Sequence, residues 1–107
     1  MAEPLTVVAI VHPAPGKGSE VAETYREVAD EIHAEPGCEL YAVHLSQDEQ
    51  TVVVIERWTT LADLEAHLDG PAIARLTELN QGLRAAPSQV IKLDPIPMGD
   101  PAKGVLG

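Results

Sequence analysis

Apolar and polar positions divide the chain into a short series of elements. Residues 5–12 (LTVVAIVH) form a β-branched apolar run followed by Pro13, Pro15 and Gly16, and that length with those flanks predicts a strand. Residues 13–18 read as a loop, with Ser19 as the N-cap of the helix after it. Val21, Tyr25, Val28 and Ile32 then recur at helical spacing, with Ala22 and Ala29 beside them and Glu and Arg opposite, until Pro36-Gly37 stops the helix. Residues 39–46 (ELYAVHLS) alternate as a second strand, 47–50 are a polar hairpin loop, and 51–58 (TVVVIERW) are a third strand. Thr60 caps a short helix with Leu61, Leu64 and Leu68 on one face, and Asp63 places negative charge in its first turn. Gly70-Pro71 opens another helix carrying Ile73, Leu76, Leu79 and Leu83. Pro87 precedes a fourth strand at 89–93, and the remainder, rich in Pro and Gly, reads as an arm without regular structure.

The order βαββααβ contains two βαβ halves, 5–46 and 51–93, joined by a hairpin. This is the α+β, ferredoxin-like split βαβ pattern: a four-stranded antiparallel sheet whose right-handed crossovers put the helices on one face. The expected organisation is one folded unit, residues 1–93, and a C-terminal arm, residues 94–107. The strands are apolar on both faces, with Val7, Ala9 and Val11 against Val8 and Ile10, and Val52 and Val54 against Val53 and Ile55. One layer of helices covers one face only, and an exposed apolar sheet face calls for a cover. A second copy packed sheet to sheet as a two-fold dimer is the expected cover; the arm folded over the open face is the alternative.

The hairpin loop fixes which side chains meet. With Ser46 opposite Thr51, Tyr41 falls opposite Glu56 and Val43 opposite Val54, and Trp58 shares the face of Glu56. His44, Val53, Ile55 and Arg57 fall on the other side. His67 sits at the edge of the stripe made by Leu64 and Leu68. A pocket between helices and sheet would therefore hold Trp58, Glu56, Tyr41 and His67: a small apolar site with a few polar groups. There His67 would be an acid or base near neutrality, a desolvated Glu56 a proton acceptor, and Tyr41 a hydrogen-bond donor. Each also has a plain structural reading: Trp58 as a core plug in a chain with three aromatics and no Phe, Glu56 paired with an Arg or Tyr, His67 half exposed on its helix.

Composition narrows the function. Seven Lys and Arg against 17 Asp and Glu leave a net charge of −10, which repels nucleic acid and anionic membrane. No apolar run reaches the length needed to span a bilayer, and no basic-then-apolar leader opens the chain. The lone Cys38 cannot form an intrachain disulfide, so a cytoplasmic location is expected, with Cys38 a structural thiol. His12, His33, His44 and His67 have no metal-ligand spacing, and Gly16-x-Gly18 lacks the rest of a dinucleotide or phosphate-loop fingerprint. Neither a metal nor a nucleotide cofactor is expected.

Glu35-Pro36-Gly37-Cys38 before a strand, Glu56-Arg57-Trp58 at the end of another, and Leu64-Glu65-Ala66-His67-Leu68 on the next helix, in that order, resemble the antibiotic biosynthesis monooxygenase family over about residues 5–93. The resemblance implies a dimeric α/β barrel of ferredoxin-like subunits. It also implies oxidation of a quinol, phenol or polyketide aromatic to a quinone by dioxygen, without metal, flavin or haem. It casts His67 and Glu56 as proton-handling residues and Trp58 as a pocket wall or donor; Tyr41, Val54 and Leu64 are the residues expected to line the substrate in that pocket. Some polyketide-oxidising members carry Asn four residues before this Trp, where Val54 stands here. The Asn and His of haem-degrading members have no counterpart in the first strand or in residues 70–86. A non-catalytic dimer that binds a small hydrophobic ligand in the same pocket, in a stress role, is the other class this pattern fits.

Overall fold

The computed structural model describes residues 4–106. Four strands, β1 (Leu5–Pro13), β2 (Cys38–Leu45), β3 (Val52–Trp58) and β4 (Arg84–Leu93), form one sheet in the order β2-β3-β1-β4. Every neighbouring pair is antiparallel, which is the ferredoxin-like arrangement. Helices α1 (Gly18–Thr24), α2 (Ala29–His33), α3 (Leu61–Leu68) and α4 (Pro71–Leu79) make the connections. The hairpin register matches expectation, with Tyr41 opposite Glu56 and Val43 opposite Val54. Trp58, Ile32, Leu64, Val7, Val11, Val21, Val28, Val52 and Val54 are fully buried and make up most of the core. None of the helices among the described residues is long and apolar enough to cross a membrane.

Three local differences from the sequence pattern have physical causes. The first helix begins at Gly18, behind an N-cap at Lys17 that makes no side-chain cap, rather than behind Ser19. Gly18 abuts the backbone of the β2–β3 loop so closely that a Cβ would collide with the Glu49 carbonyl. The same helix is broken by a 3-10 turn at Tyr25–Glu27. There the Thr24 hydroxyl donates to the Val21 carbonyl at 2.6 Å, and Val28, at φ −121°, donates back only to Tyr25. A hydroxyl bonded back to its own helix competes with the backbone ladder and bends it. At the other end, α4 stops at Leu79, because Gly82 turns the chain at φ +79°. Leu83, expected on the helix, lies in that turn, where its carbonyl accepts from Ala14 N–H at 2.7 Å.

The fourth strand begins at Arg84, five residues earlier than the pattern suggests, and runs through Pro87. This is tolerated because β4 is an edge strand and its register with β1 shifts between Ile10 and His12, so Pro87 falls at the irregularity. Thr60 Oγ1 accepts from Asp63 N–H at 3.1 Å, the expected cap of α3.

The two faces of the sheet differ sharply. Under the helices lie Val7, Val11, Val52, Val54, Glu56 and Trp58, all buried. On the other face Val8 pairs with Ile55 and with Ile91, and Ile10 with Val53. These remain half-buried or exposed. From Asp94 to Leu106 the chain has no helix or strand. It returns to one end of that open face, where Arg57 Nη2 donates to the Leu106 carbonyl at 3.0 Å. A cleft of about 520 Å³ is lined there by Thr6, Arg57, Leu93, Val105 and Leu106.

Candidate functional site

The four polar and aromatic residues singled out by register do meet. Trp58, the last residue of β3, is wholly buried, and its Nε1–H donates to Glu56 Oε1 at 2.9 Å. Residues i and i+2 of a strand share a face, so this bond lies within one strand. The His67 ring comes down from α3 onto Trp58, with centroids 4.5 Å apart and planes 31° apart. Tyr41, on β2, meets the same imidazole edge-on at 5.5 Å. Leu64, one turn before His67, is buried beside it, and Val54 lies two residues before Glu56 on the same face. His67 is not at the edge of its apolar stripe: it is 3% exposed, whereas Leu68 is 39% exposed. The helix is turned so that Leu64 and His67, three residues apart, face inward together.

Burial sets the electrostatics. Glu56 is 4% exposed, and loss of water pushes its carboxyl from the ordinary 4.5 up to about 7. The Trp58 hydrogen bond opposes that rise, and the negative charge of Glu35 adds to it. Tyr41 is driven well above its ordinary value, first by burial and then by Tyr25, Glu56 and Glu35, with Arg84 acting the other way. It is therefore a neutral hydroxyl, able to donate. The Cys38 thiol is raised by partial burial and by Glu35 and Glu56, which suppresses the thiolate.

Four residues that register alone did not single out complete the cluster. Glu35 Oε1 lies 2.6 Å from His67 Nδ1, with only 2% of the His side chain and 15% of the Glu side chain exposed. Tyr25 lies 6.4 Å from Tyr41, ring to ring. Arg84 donates to Asn80 Oδ1 at 3.3 Å and to Ser88 Oγ at 2.8 Å, and its charge bears on both tyrosines. Buried Asn80 in turn donates to Thr24 Oγ1 and to the Leu76 carbonyl. The polar groups thus run as a line through the core, from Arg84 past Tyr25 and Tyr41 to Glu56, Trp58, His67 and Glu35. The signal for Glu35 is the Glu-Pro-Gly-Cys turn; that for Arg84 is masked because Pro87 hides the start of β4 in the sequence pattern.

The outer end of this line reaches solvent through a cleft of about 360 Å³, lined by Glu31, Glu35, Pro36, Asp63, Ala66 and His67 among others. Among the described residues, no group of three or more His, Cys, Asp or Glu is placed to hold a metal ion. The arrangement can accept a proton at a carboxylate poised near neutrality and hold an imidazole between a carboxylate and an indole, while Val54 and Leu64 are wholly buried in the core beside it.

An antiparallel sheet with one helical layer thus carries Glu-Arg-Trp at the end of its third strand and an inward His above it. The model of the antibiotic biosynthesis monooxygenase family matches residues 4–79, and the chain belongs to that family. It is 29% identical to "Probable quinol monooxygenase YgiN" of Escherichia coli K12, over 73% of this chain and 86% of that one. A solved structure, PA3566 from Pseudomonas aeruginosa, superposes with a TM-score of 0.77 at 29% identity, covering 87% of this chain and 94% of the other. Rv0793 from Mycobacterium tuberculosis has the same fold, with a TM-score of 0.77 at 24% identity over 92% of this chain and all of its own.

Proposed function

We propose that this chain is a cofactor-independent monooxygenase that oxidises a quinol or a phenolic or polyketide aromatic to a quinone with dioxygen. Membership of the family and the likeness to a relative named as a probable quinol monooxygenase support the class. The observation that carries the reading is the Trp58 indole, in ring contact with His67 and hydrogen-bonded to a Glu56 held near neutrality. In this reading His67 and Glu56 handle protons, Trp58 is wall and donor, Tyr41 holds a substrate oxygen, and Val54 and Leu64 line the ring.

The chemistry balances without a further reductant, because the substrate supplies the electrons. Loss of the phenolic proton to the base leaves the O–H electron pair on oxygen and makes an electron-rich anion. One electron passes from the anion to dioxygen, and the radical pair recombines. A phenol that becomes a quinone keeps one oxygen atom and releases the other as water. A quinol that becomes a quinone gives up two electrons and two protons, and dioxygen leaves as hydrogen peroxide. A low-dielectric pocket favours both proton and electron transfer by excluding water.

The working unit is proposed to be a cytoplasmic homodimer closed through the open sheet face. The paired Val8, Ile10, Val53, Ile55 and Ile91 support it, as does a lone, free Cys38 suited to a reducing compartment. The test of function is dioxygen uptake with menadiol-like quinols, measured against the spontaneous rate without protein. A rate no greater than spontaneous across quinols and phenols overturns the reading. The other class the sequence pattern fits, a binding or stress-response protein that accepts a small hydrophobic ligand without turnover, is separated by the same assay. Saturable quenching of the single tryptophan with no oxygen uptake would identify it.

A further inference from the structure

Glu35 opens a turn that holds its carboxylate against His67. Glu35-Pro36-Gly37-Cys38 is a four-residue turn, closed by a hydrogen bond from Cys38 N–H to the Glu35 carbonyl at 3.1 Å. Pro fixes the second position and Gly37, at φ +78°, supplies the left-handed third, the signature of a type II turn. The turn is pinned at both ends. Glu35 N–H donates to the Ile32 carbonyl at 3.0 Å, and the Gly37 carbonyl accepts from Thr59 N–H at 2.9 Å, one residue beyond Trp58. A Cβ on Gly37 would strike the Asp63 side chain of α3, so the turn is wedged between the end of β3 and the helix that carries His67. Glu35 Oε1 meets His67 Nδ1 at 2.6 Å, and Oε2 lies toward Gly70, whose N–H donates to the His67 carbonyl. The carboxylate is therefore set by backbone geometry and not by a flexible side chain on an open surface.

We propose that Glu35 is the positioning residue for His67: its carboxylate accepts the Nδ1 proton, fixes the imidazole as the Nδ1–H tautomer over Trp58, and leaves Nε2 as the ring nitrogen with the free lone pair. The proposal rests on the monooxygenase reading for its functional consequence and deepens it by naming which nitrogen takes the substrate proton. In that step the phenolic O–H bond breaks and an Nε2–H bond forms. The electron pair stays on the phenolate, and the positive imidazolium stands against the Glu35 carboxylate. The orienting logic is that of a carboxylate behind a catalytic histidine, in which replacement by the amide permits the wrong tautomer. Other titratable groups around the ring are Tyr41 from β2, Glu56 beyond Trp58 on β3, Glu31 of α2 and Asp63 of α3 in the outer cleft, and Cys38 beyond the turn. Among the described residues none of these is shown hydrogen-bonded to the ring, whereas Glu35 is.

The test has one readout that needs no substrate. Nitrogen-15 NMR of the histidine rings at mildly alkaline pH, with His67 assigned by comparison with His67→Gln, is expected to show a proton on Nδ1 and none on Nε2. Glu35→Gln is expected to abolish that preference. A ring protonated at Nε2 in the wild-type chain overturns the proposal, whether or not the protein turns over any quinol. Where turnover is found, Glu35→Gln is expected to lower kcat by about 10²-fold with KM little changed, at the lower edge of what a positioned base contributes. Glu35→Asp, which keeps the charge, is expected to recover part of the loss. Equal kcat in wild type and Glu35→Gln also overturns the proposal. Absence of turnover in the wild type counts against the monooxygenase reading and leaves the tautomer measurement to decide Glu35.

Discussion

The imidazole of His67 lies 4.5 Å from the indole of Trp58, and each ring is hydrogen-bonded to a different glutamate, His67 to Glu35 and Trp58 to Glu56. Two aromatic–carboxylate pairs are therefore stacked against each other in the core. Removal of one ring should disable the site in a way that distinguishes the two pairs. His67→Ala is expected to cut quinol-dependent oxygen uptake by 10² to 10⁴-fold, about the worth of a general base. Trp58→Phe keeps an aromatic wall and deletes only the Nε1–H donor and part of the ring, so a smaller loss is expected. Oxygen uptake undiminished in His67→Ala, corrected for the no-protein rate, would remove His67 from the chemistry.

Glu56 makes stability depend on pH in a direction opposite to that of most carboxylates. Its folded value, about 7, lies above its ordinary 4.5, so between those values the native state holds the proton and the unfolded state has released it. Stability is therefore full below about pH 4.5 and declines as pH rises through 7, by at most about 3 kcal/mol on the usual linkage relation. Glu56→Gln keeps an acceptor for Trp58 Nε1–H and has no proton to lose. Relative to wild type it should be progressively more stable from pH 5 to pH 8, as followed by urea midpoints. Because the Trp58 hydrogen bond holds Glu56 down, Trp58→Phe should move the wild-type decline to higher pH. Parallel pH curves for wild type and Glu56→Gln would contradict this.

Strand pairing was legible because register follows from alternation and loop length: once residues 47–50 were read as the hairpin loop, Tyr41 had to face Glu56. Helix rotation was not. Leu61, Leu64 and Leu68 describe an apolar stripe, and only tertiary packing shows that His67 replaces Leu68 on the buried side. Nor could periodicity reveal the break at Tyr25–Glu27, since Val21, Tyr25, Val28 and Ile32 keep nearly the same spacing across it; the cause is a single hydroxyl bond from Thr24. Glu35 was visible as a turn residue, but its partner lies 32 positions away and depends on how that turn docks on α3.

The β2–β3 loop carries strain that should be removable. Glu49 has φ +61°, a left-handed conformation that costs a side-chain-bearing residue on the order of 1 kcal/mol. Asp48 Oδ1 holds the loop by accepting from the Ser46 hydroxyl at 2.6 Å and from Gln50 N–H at 3.0 Å, bonds that do not involve the Glu49 side chain. Glu49→Gly is expected to raise stability by about 0.5 kcal/mol, since relief of strain is partly offset by the larger entropy of an unfolded glycine. Gly18→Ala, which drives a methyl group into the Glu49 carbonyl, is expected to lower stability by about 1–3 kcal/mol. Thermal midpoints of the two variants check both signs together, and a neutral Gly18→Ala would mean the loop moves away freely.

The open sheet face leads to the last prediction. Ile55 pairs with Val8, Val8 with Ile91, and Ile10 with Val53, which makes a continuous apolar strip, while the arm reaches only the end marked by Thr6, Arg57 and Leu93. As the arm lies, it covers that end only, and a second copy is the simplest cover for the rest. Sedimentation at micromolar concentration is expected to give twice the chain mass of 11.4 kDa. Val8→Glu should shift that toward the single chain, because each two-fold contact would bury the new charge twice, at a cost of several kcal/mol per ion. Truncation after Leu93 separates the two covers: a dimer closed by the sheet should survive it, whereas a chain that relies on the arm should aggregate. A wild-type monomer at that concentration would reject the two-fold closure, and with it the dimeric form of the proposed enzyme.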